Sequence, residues 1–472
     1  MNNVALLDNI ILLTDSYKLS HYKQYPKDAE IVFSYFESRV GAKFDHTVFF
    51  SLQYILKKYI EGIVVTQDKI EQAASVARLH MLTGSGDGTF NRAGWELMLE
   101  KHGGILPVRI RAVPEGTKVP TGNVMLTIEN TDPDFPWLPN YLETLLVQVW
   151  YGSTVATISS HVRSIVKTGM EQTGADMAGL PFKLHDFGVR GSTTMESAAV
   201  GGMAHLAAGF QGTDNLPALL HCIQYYGAGM PGHSIAASEH STITSWGAEN
   251  ELEAVRNMLE EYPEGPVACV GDSYNIDRHC STILGKELKE LIMKRDGVWV
   301  ARPDSGEIVP MVNNVLGRLY QSFGGETNDK GCIVLDPHVR AIQGDGCTLE
   351  TIKEVVDMMI DNRWSLDNIA FGMGGGLLQK LDRDTQRFAF KASAIRRNGE
   401  WQDVFKQPKS DPTKNSKKGR IELYKSTHKN SFYTHEDRGE LPYFEKVMRT
   451  VFEDGEILIT DDIETIRKRA EC

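Results

Sequence analysis

The chain has 472 residues, 41% hydrophobic and 24% charged, which is enough apolar material for two to three domains or one barrel with additions. A formal net charge of −12 argues against general binding to nucleic acid or to an anionic membrane. No apolar run reaches the ~18 residues of a membrane span. The start, "MNNVALLDNIILLTDSYK", carries Asp8 and lacks the basic segment and cleavage site of a signal peptide. Cysteines at 222, 269, 280, 332, 347 and 472 form no CxxC pair, so zinc-ribbon and thioredoxin-type chemistry lose support and a reducing cytoplasm fits.

In chain order, "TDSYKLSHYKQYP" places Asp15, Tyr17 and Lys18 in a segment too polar and aromatic for plain core, and "SYFESR" ends in Arg39. The piece "ILPVRIRAVPEGTKVPTGNVMLTIENT" alternates like a hairpin. From about Lys183 to Lys391 one unit recurs: short strand, polar or glycine-rich turn, helix. "FKLHDFGVRG", "PVACVGDSYN", "VWVARPDSGE", "GCIVLDPHVRAIQGDG" and "NIAFGMGGG" each lead into a helical pattern, the last into "LLQKLDRD". Before Asn362, Leu349, Ile352, Val355, Val356 and Met359 form one apolar stripe at helical period. Such alternation predicts parallel β/α architecture. Charge or glycine after every strand favours a barrel, whose active site lies at the carboxyl ends of the strands. The tail contributes a basic loop, "KQPKSDPTKNSKKGRIELY", short strands and a helical "DDIETIRKRA". The expected units are an α+β region over 1–178, a barrel over 179–392, and a segment over 393–472 that packs back on the first.

Each motif has two readings. The run Gly372 to Gly376 fails as a dinucleotide fingerprint and as a P-loop, because the required glycine and lysine are missing. It remains either a nest of amides for an anion or a tight strand-to-helix turn. Arg302 and Asp304 in "ARPDSGE" suit phosphate and ribose or a magnesium-bearing diphosphate, or form a surface ion pair. Asp345 between two glycines allows close approach of a sugar phosphate, or marks a turn. Phe187 offers a stacking face or core packing. Asp214 is an acceptor or a cap. His240 suits proton or phosphoryl transfer, or is structural. Asp272 and Ser273 of "GDSYN" are ligands or a loop cap.

Together, "LTDSYKLSHYKQYP", "SYFESR", "FSLQYIL", "KLHDFGVRG", "GTDN", "AASEHSTIT", "DSYNI", "RPDSG", "VRAIQGDG", "IAFGMGGGLLQKLDRD" and "DPTKNSKKGR" resemble the nicotinate/nicotinamide phosphoribosyltransferase family over nearly the whole chain. The resemblance implies a type II phosphoribosyltransferase: an irregular or incomplete parallel barrel, a second α+β domain from the N- and C-terminal parts of the chain, and a homodimer with shared active sites. It implies nicotinamide as the base, stacked between Phe187 and the partner's Tyr17, with Arg190 on the amide oxygen and Asp214 accepting from the NH2. Arg302, Asp304, Gly344, Asp345, Gly374 and Gly375 are implied for phosphoribosyl diphosphate, with Asp15, Arg39, Ser234, Arg383, Lys391 and Lys406 around phosphates of substrate, product or ATP. Asp304 is the implied magnesium contact. His240 is the implied phosphohistidine that couples ATP. Gly271 and Asn275 depart from the Ser-Asp-Ser-Tyr-Asp of many members, and Met373 stands where the residue is often small, a bulk that would narrow the loop.

Competing expectations are nicotinate as the base, a sugar-phosphate aldolase, and a ligand-binding or signalling protein on the same fold. A buried Asp214 would repel the carboxylate of nicotinate. An aldolase needs a Schiff-base lysine, and none lies in the strand-end clusters.

Overall fold

Two seven-stranded sheets carry the chain, one antiparallel and drawn from both chain ends and one parallel. The structure, a computed structural model, describes residues 8–82, 88–409, 415–429 and 431–471. The chain start, residues 411–414 of the basic tail motif and Cys472 lie outside the described residues. Strands β1 (Ala29–Glu37), β2 (Val108–Ala112) and β3 (Val124–Asn130) open the first sheet. β2 alternates buried and half-buried residues, as its sequence predicts, and pairs antiparallel with β3. Lys118–Pro120 leaves that hairpin and pairs with His46–Val48.

The parallel sheet follows: β4 (Leu184–Asp186), β5 (Gly212–Thr213), β6 (Ala236–Ala237), β7 (Val267–Val270), β8 (Trp299–Arg302), β9 (Val339–Gln343) and β10 (Ile369–Met373). Its order is β5-β4-β10-β9-β8-β7-β6, every pair parallel. The sheet curls until Gly212, on one edge, bridges His233 just ahead of the other edge strand. β5 and β6 have two residues each, too short to complete a regular wall. The result is the incomplete barrel that the resemblance implied. Helices α1 (Val149–Thr173), α2 (Met195–Ala207), α3 (Leu216–Tyr226), α4 (Ile308–Phe323) and α5 (Leu349–Asp361) pack outside it. On α5, Ile352, Val355, Val356 and Met359 are buried and Leu349 packs at the margin.

The chain then returns to the first sheet through β11 (Ala389–Arg397), β12 (Glu400–Asp403), β13 (Arg449–Glu453) and β14 (Glu456–Ile457), in the order β12-β11-β1-β3-β2-β13-β14. β11 runs across position 392 and pairs with β1 along its length. The expected last helix spans Ile463–Glu471 and buries Ile463, Ile466 and Ala470. No helix among the described residues is long and apolar enough to cross a membrane.

Two elements differ from expectation. The apolar "CIVL" is not the barrel strand: Ile333–Leu335 pairs with Gly325–Thr327 in a separate hairpin. The Asp336 carboxylate accepts from the His338 amide at 3.0 Å and turns the chain into β9. The helix expected from Leu377 through Asp384 is only Gly375–Leu378. Asp382 accepts from the Thr385 amide at 2.8 Å, a local turn that competes with helix.

Candidate active site

β4 runs into Phe187, and strand alternation sends His185 and Phe187 into the barrel and Asp186 outward, where it is fully buried. The Phe187 ring lies against the end of β10 and the turn after β9. A Cβ at Gly372 would overlap the ring edge and stand 2.9 Å from Cζ; one at Gly344 would lie 3.3 Å from Cε2. A Cβ at Gly374 would lie 3.2 Å from the Phe187 carbonyl, and one at Gly376 2.6 Å from the Cys347 carbonyl. None of these four glycines has positive φ. Close approach, not a left-handed turn, is what demands glycine here. Gly375 and Gly376 open the short helix, so their amides have no carbonyl four residues back within it.

A cavity of about 410 Å³ runs inside the barrel, with Ile235, Ala268, Val300 and Ile342 on its walls and Phe187, Asp214, Ser234 and Arg302 among its polar and aromatic boundary. The Asp214 amide donates to the Asp186 carbonyl at 3.1 Å. The Ser234 hydroxyl donates to Asp214 Oδ1, which ties Ser234 to the Asp214 side of the cavity. Arg190 sits in the 3₁₀ turn Val189–Gly191, exposed, with no bonded partner among the described residues. Asp345 is also exposed, and its carbonyl accepts from Gln343 Nε2 at 2.9 Å.

His240 begins the short helix His240–Thr244. Its Nε2 lies 3.3 Å from Asp304 Oδ2 and 3.8 Å from Asp272 Oδ1, and its Nδ1 lies 2.9 Å from Ser273 Oγ. Arg302 Nε stands 3.6 Å from Asp304 Oδ1. Asp272 Oδ2 accepts from the Asp304 amide at 2.9 Å and from the Ser305 hydroxyl at 2.5 Å. Its other oxygen is buried without a hydrogen-bond partner among the described residues. Asp272 is therefore both the loop cap and a carboxylate at His240. The signal was present in the sequence: "GDSYN" ends β7 beside the β8 that ends in "ARPDSG".

The departures have structural accounts. A Cβ at Gly271 would lie 2.6 Å from Cδ2 of the buried His279, so the imidazole fills the space a serine side chain would use. Asn275 caps Ile276–Arg278 by accepting from the Arg278 amide at 2.9 Å. Met373 is buried and outside the cavity lining, but its Cε stands 2.8 Å from where a Cβ at Gly376 would lie, so its bulk crowds the loop and not the cavity.

A second group lies on the antiparallel sheet. Arg39 follows β1, and Lys391 stands in β11 opposite Tyr35. Burial, and then the nearby Arg39, Lys406 and Arg383 cations, hold the Lys391 ammonium below its ordinary range against the opposing pull of Glu143. Arg39 Nε donates to the Arg387 carbonyl at 3.1 Å. Tyr17 is 57% exposed, and Asp15 accepts from the Thr144 hydroxyl at 2.6 Å. Tyr17, Arg39, Arg383, Lys391 and Lys406 do not line the barrel cavity.

An aromatic ring, paired carboxylates and open helix amides thus stand at the strand ends of an incomplete parallel barrel. Residues 182–456 match the nicotinate phosphoribosyltransferase (NAPRTase) family, and residues 9–110 match the nicotinamide phosphoribosyltransferase N-terminal domain. The chain belongs to this family. It is 46% identical to a nicotinamide phosphoribosyltransferase of Xanthomonas campestris pv. campestris over 99% of both chains. Its fold matches a nicotinate-nucleotide pyrophosphorylase from Pyrococcus furiosus with a TM-score of 0.63, over 99% of this chain and 96% of that one at 16% identity. It also matches human nicotinic acid phosphoribosyltransferase with a TM-score of 0.58, over 98% and 93% at 16% identity.

Proposed function

We propose that this chain is a nicotinamide phosphoribosyltransferase, joining nicotinamide to 5-phosphoribosyl 1-diphosphate to give nicotinamide mononucleotide and diphosphate for NAD salvage. The observation that carries the base assignment is the Phe187 ring, seated on Gly372 in the cavity that Asp214 also lines. A planar heteroaromatic amide stacks on that ring, gives its NH2 to Asp214 and takes a hydrogen bond from Arg190 on its oxygen. The pyridine nitrogen attacks C1 of the ribose as the bond to diphosphate breaks, through a transition state with oxocarbenium character. Arg302, Gly344, Asp345, Gly374 and Gly375 orient the phosphoribosyl group, and the arginine with the open amides stabilises the departing charge. Mg²⁺ suits the oxygen donors of Asp304 and the unpartnered Asp272 carboxylate oxygen, and when bound would offset diphosphate charge.

His240, between Asp304 and Ser273, takes the γ-phosphoryl group of ATP on a ring nitrogen with release of ADP, and attack of water on that phosphohistidine, which releases phosphate, drives transfer. The cations Arg39, Arg383, Lys391 and Lys406, with Asp15 and Tyr17, serve the site of the other protomer in a homodimer, since they lie off the cavity of their own barrel. Five buried free cysteines fit a reducing cytoplasm. The test is mononucleotide formation from nicotinamide or nicotinate with phosphoribosyl diphosphate and Mg²⁺, with and without ATP. Strong preference for nicotinamide is expected; equal use of nicotinate would overturn the amide assignment.

A further inference from the structure

We infer that Asp186 is a positioning residue that locks the loop carrying Phe187 and Arg190 to the loop carrying Asp214, and so fixes the geometry in which the base is held. The inference rests on the base-site reading above, and it concerns a residue that never reaches the cavity.

The carboxylate of Asp186 is fully buried behind the barrel wall, between β4 and α2. Both of its oxygens are committed. Oδ1 accepts from the Gly188 amide at 2.8 Å, which sets the turn between Phe187 and Arg190. Oδ2 accepts from Asn215 Nδ2 at 2.8 Å, next in sequence to Asp214. The Asp186 carbonyl receives the Asp214 amide at 3.1 Å. Three contacts from one residue thus reach both halves of the base-binding set.

Asn215 has one orientation in this network. Its Oδ1 accepts from the Ala218 amide at 3.1 Å and caps α3, so its NH2 must point at Asp186 Oδ2 and at the Ala198 carbonyl, 2.8 Å away. The sequence makes room for the pair. Gly202 lies inside α2, where glycine is unfavourable, yet a Cβ there would stand 2.7 Å from Asp186 Oδ2 and overlap the Asn215 amide. Gly188 is also crowded: a Cβ would lie 2.5 Å from Leu378 Cδ1 and 3.1 Å from Asp186 Oδ1. A buried carboxylate that served packing alone would cost stability. One that ties two ligand-bearing loops has a use for its two acceptors.

The experiment compares steady-state constants for both substrates on folded enzyme. Asp186→Asn keeps the shape and one acceptor for the Gly188 amide but sets an NH2 against the Asn215 NH2. KM for nicotinamide should rise about tenfold or more, the loss of one good hydrogen bond and a relaxed loop, while KM for phosphoribosyl diphosphate moves less than about twofold. The double variant Asp186→Asn/Asn215→Asp restores a donor facing a carboxylate but sets that carboxylate against the Ala198 carbonyl, so it should recover part of the nicotinamide KM. If Asp186→Asn does not fold, Asn215→Ser carries the test: serine keeps the cap on α3 but withdraws the donor to Asp186, and the same nicotinamide-specific rise is expected. An unchanged nicotinamide KM, or equal rises for both substrates without recovery in the double variant, overturns the positioning role. Wild-type enzyme that fails to use nicotinamide while using another base overturns the base-site reading first, and is seen before any variant is made.

Discussion

The ring of Phe187 occupies the space that a side chain at Gly372 would need. The two residues belong to neighbouring strands, in register through Gly372 and His185. Gly372→Ala forces the ring off its seat, and overpacking of this kind costs about 1–3 kcal/mol. The expected result is a rise of about 10- to 100-fold in nicotinamide KM, with the fold intact by circular dichroism. Wild-type kinetics in that variant would remove Phe187 as the platform for the base.

Asp214 is exposed at the cavity and not buried as expected from the sequence, so solvent weakens its repulsion of an anion, and it carries one accepted hydrogen bond, from Ser234. A fixed carboxylate there accepts from an amide and repels nicotinate. Asp214→Asn should narrow the preference for nicotinamide over nicotinate by about 10- to 100-fold, chiefly by admitting nicotinate. Competition assays with both bases measure it, and an unaltered ratio would leave selectivity to some other group.

His240→Ala should abolish stimulation by ATP and leave a slower basal transfer. The ring is held by Ser273 on one side and faces Asp304 on the other, as a phosphoryl acceptor beside a cation-binding carboxylate would be. Phosphate release from ATP, followed alongside mononucleotide formation, gives the answer; persistent stimulation would exclude the phosphohistidine.

The separation of the cation group from the barrel group predicts complementation. Asp304→Ala damages the barrel group and Lys391→Ala the cation group, so each variant alone should be nearly inactive. In a dimer with shared sites, mixed protomers rebuild one intact site in each heterodimer, and equal mixing should restore about a quarter of wild-type activity after exchange. Activity that never exceeds the sum of the two variants would place both groups in one protomer's site.

Far from the site, Glu115 is buried against Gln53, whose amide donates to it at 2.8 Å. Burial above all pushes its carboxyl from the ordinary value of 4.5 up to about 7. The folded chain therefore keeps a proton that the unfolded chain releases above about 4.5, and stability falls as pH rises to about 7 and is level beyond. Glu115→Gln removes that fall. The variant should match wild type near pH 4 and exceed it at pH 8 by up to about 3 kcal/mol in urea unfolding. A stability difference that does not change with pH would show that Glu115 ionises freely in the fold.

Much of this was legible because strand ends are local. Phe187 and Gly344 follow their strands directly and Arg302 ends its own, so period alone puts them at one end of the sheet. The reason for the glycine run was not legible. Gly372 is glycine because of a ring some 185 residues earlier, and only the β4–β10 pairing brings the two together. Arg39 and Lys391 could be named as cations from the sequence, but their adjacency depends on β1 lying beside β11. The helix expected from Leu377 through Asp384 fell short for a smaller reason. Its residues favour helix, yet the Asp382–Thr385 turn redirects the chain toward β11.

The pairing of β1 with β11 has a further consequence during synthesis. Tyr35 is opposite Lys391, so the centre of the antiparallel sheet waits for a strand made some 350 residues later. The N-terminal strands leave the ribosome with β1 as an open edge, a template for wrong partners until β11 arrives. Long-range closure of this kind is slow. A nascent chain stalled before residue 389 lacks β11 and the Lys391 of the cation group, so it should need a chaperone over that edge and show no substrate-dependent protection from protease.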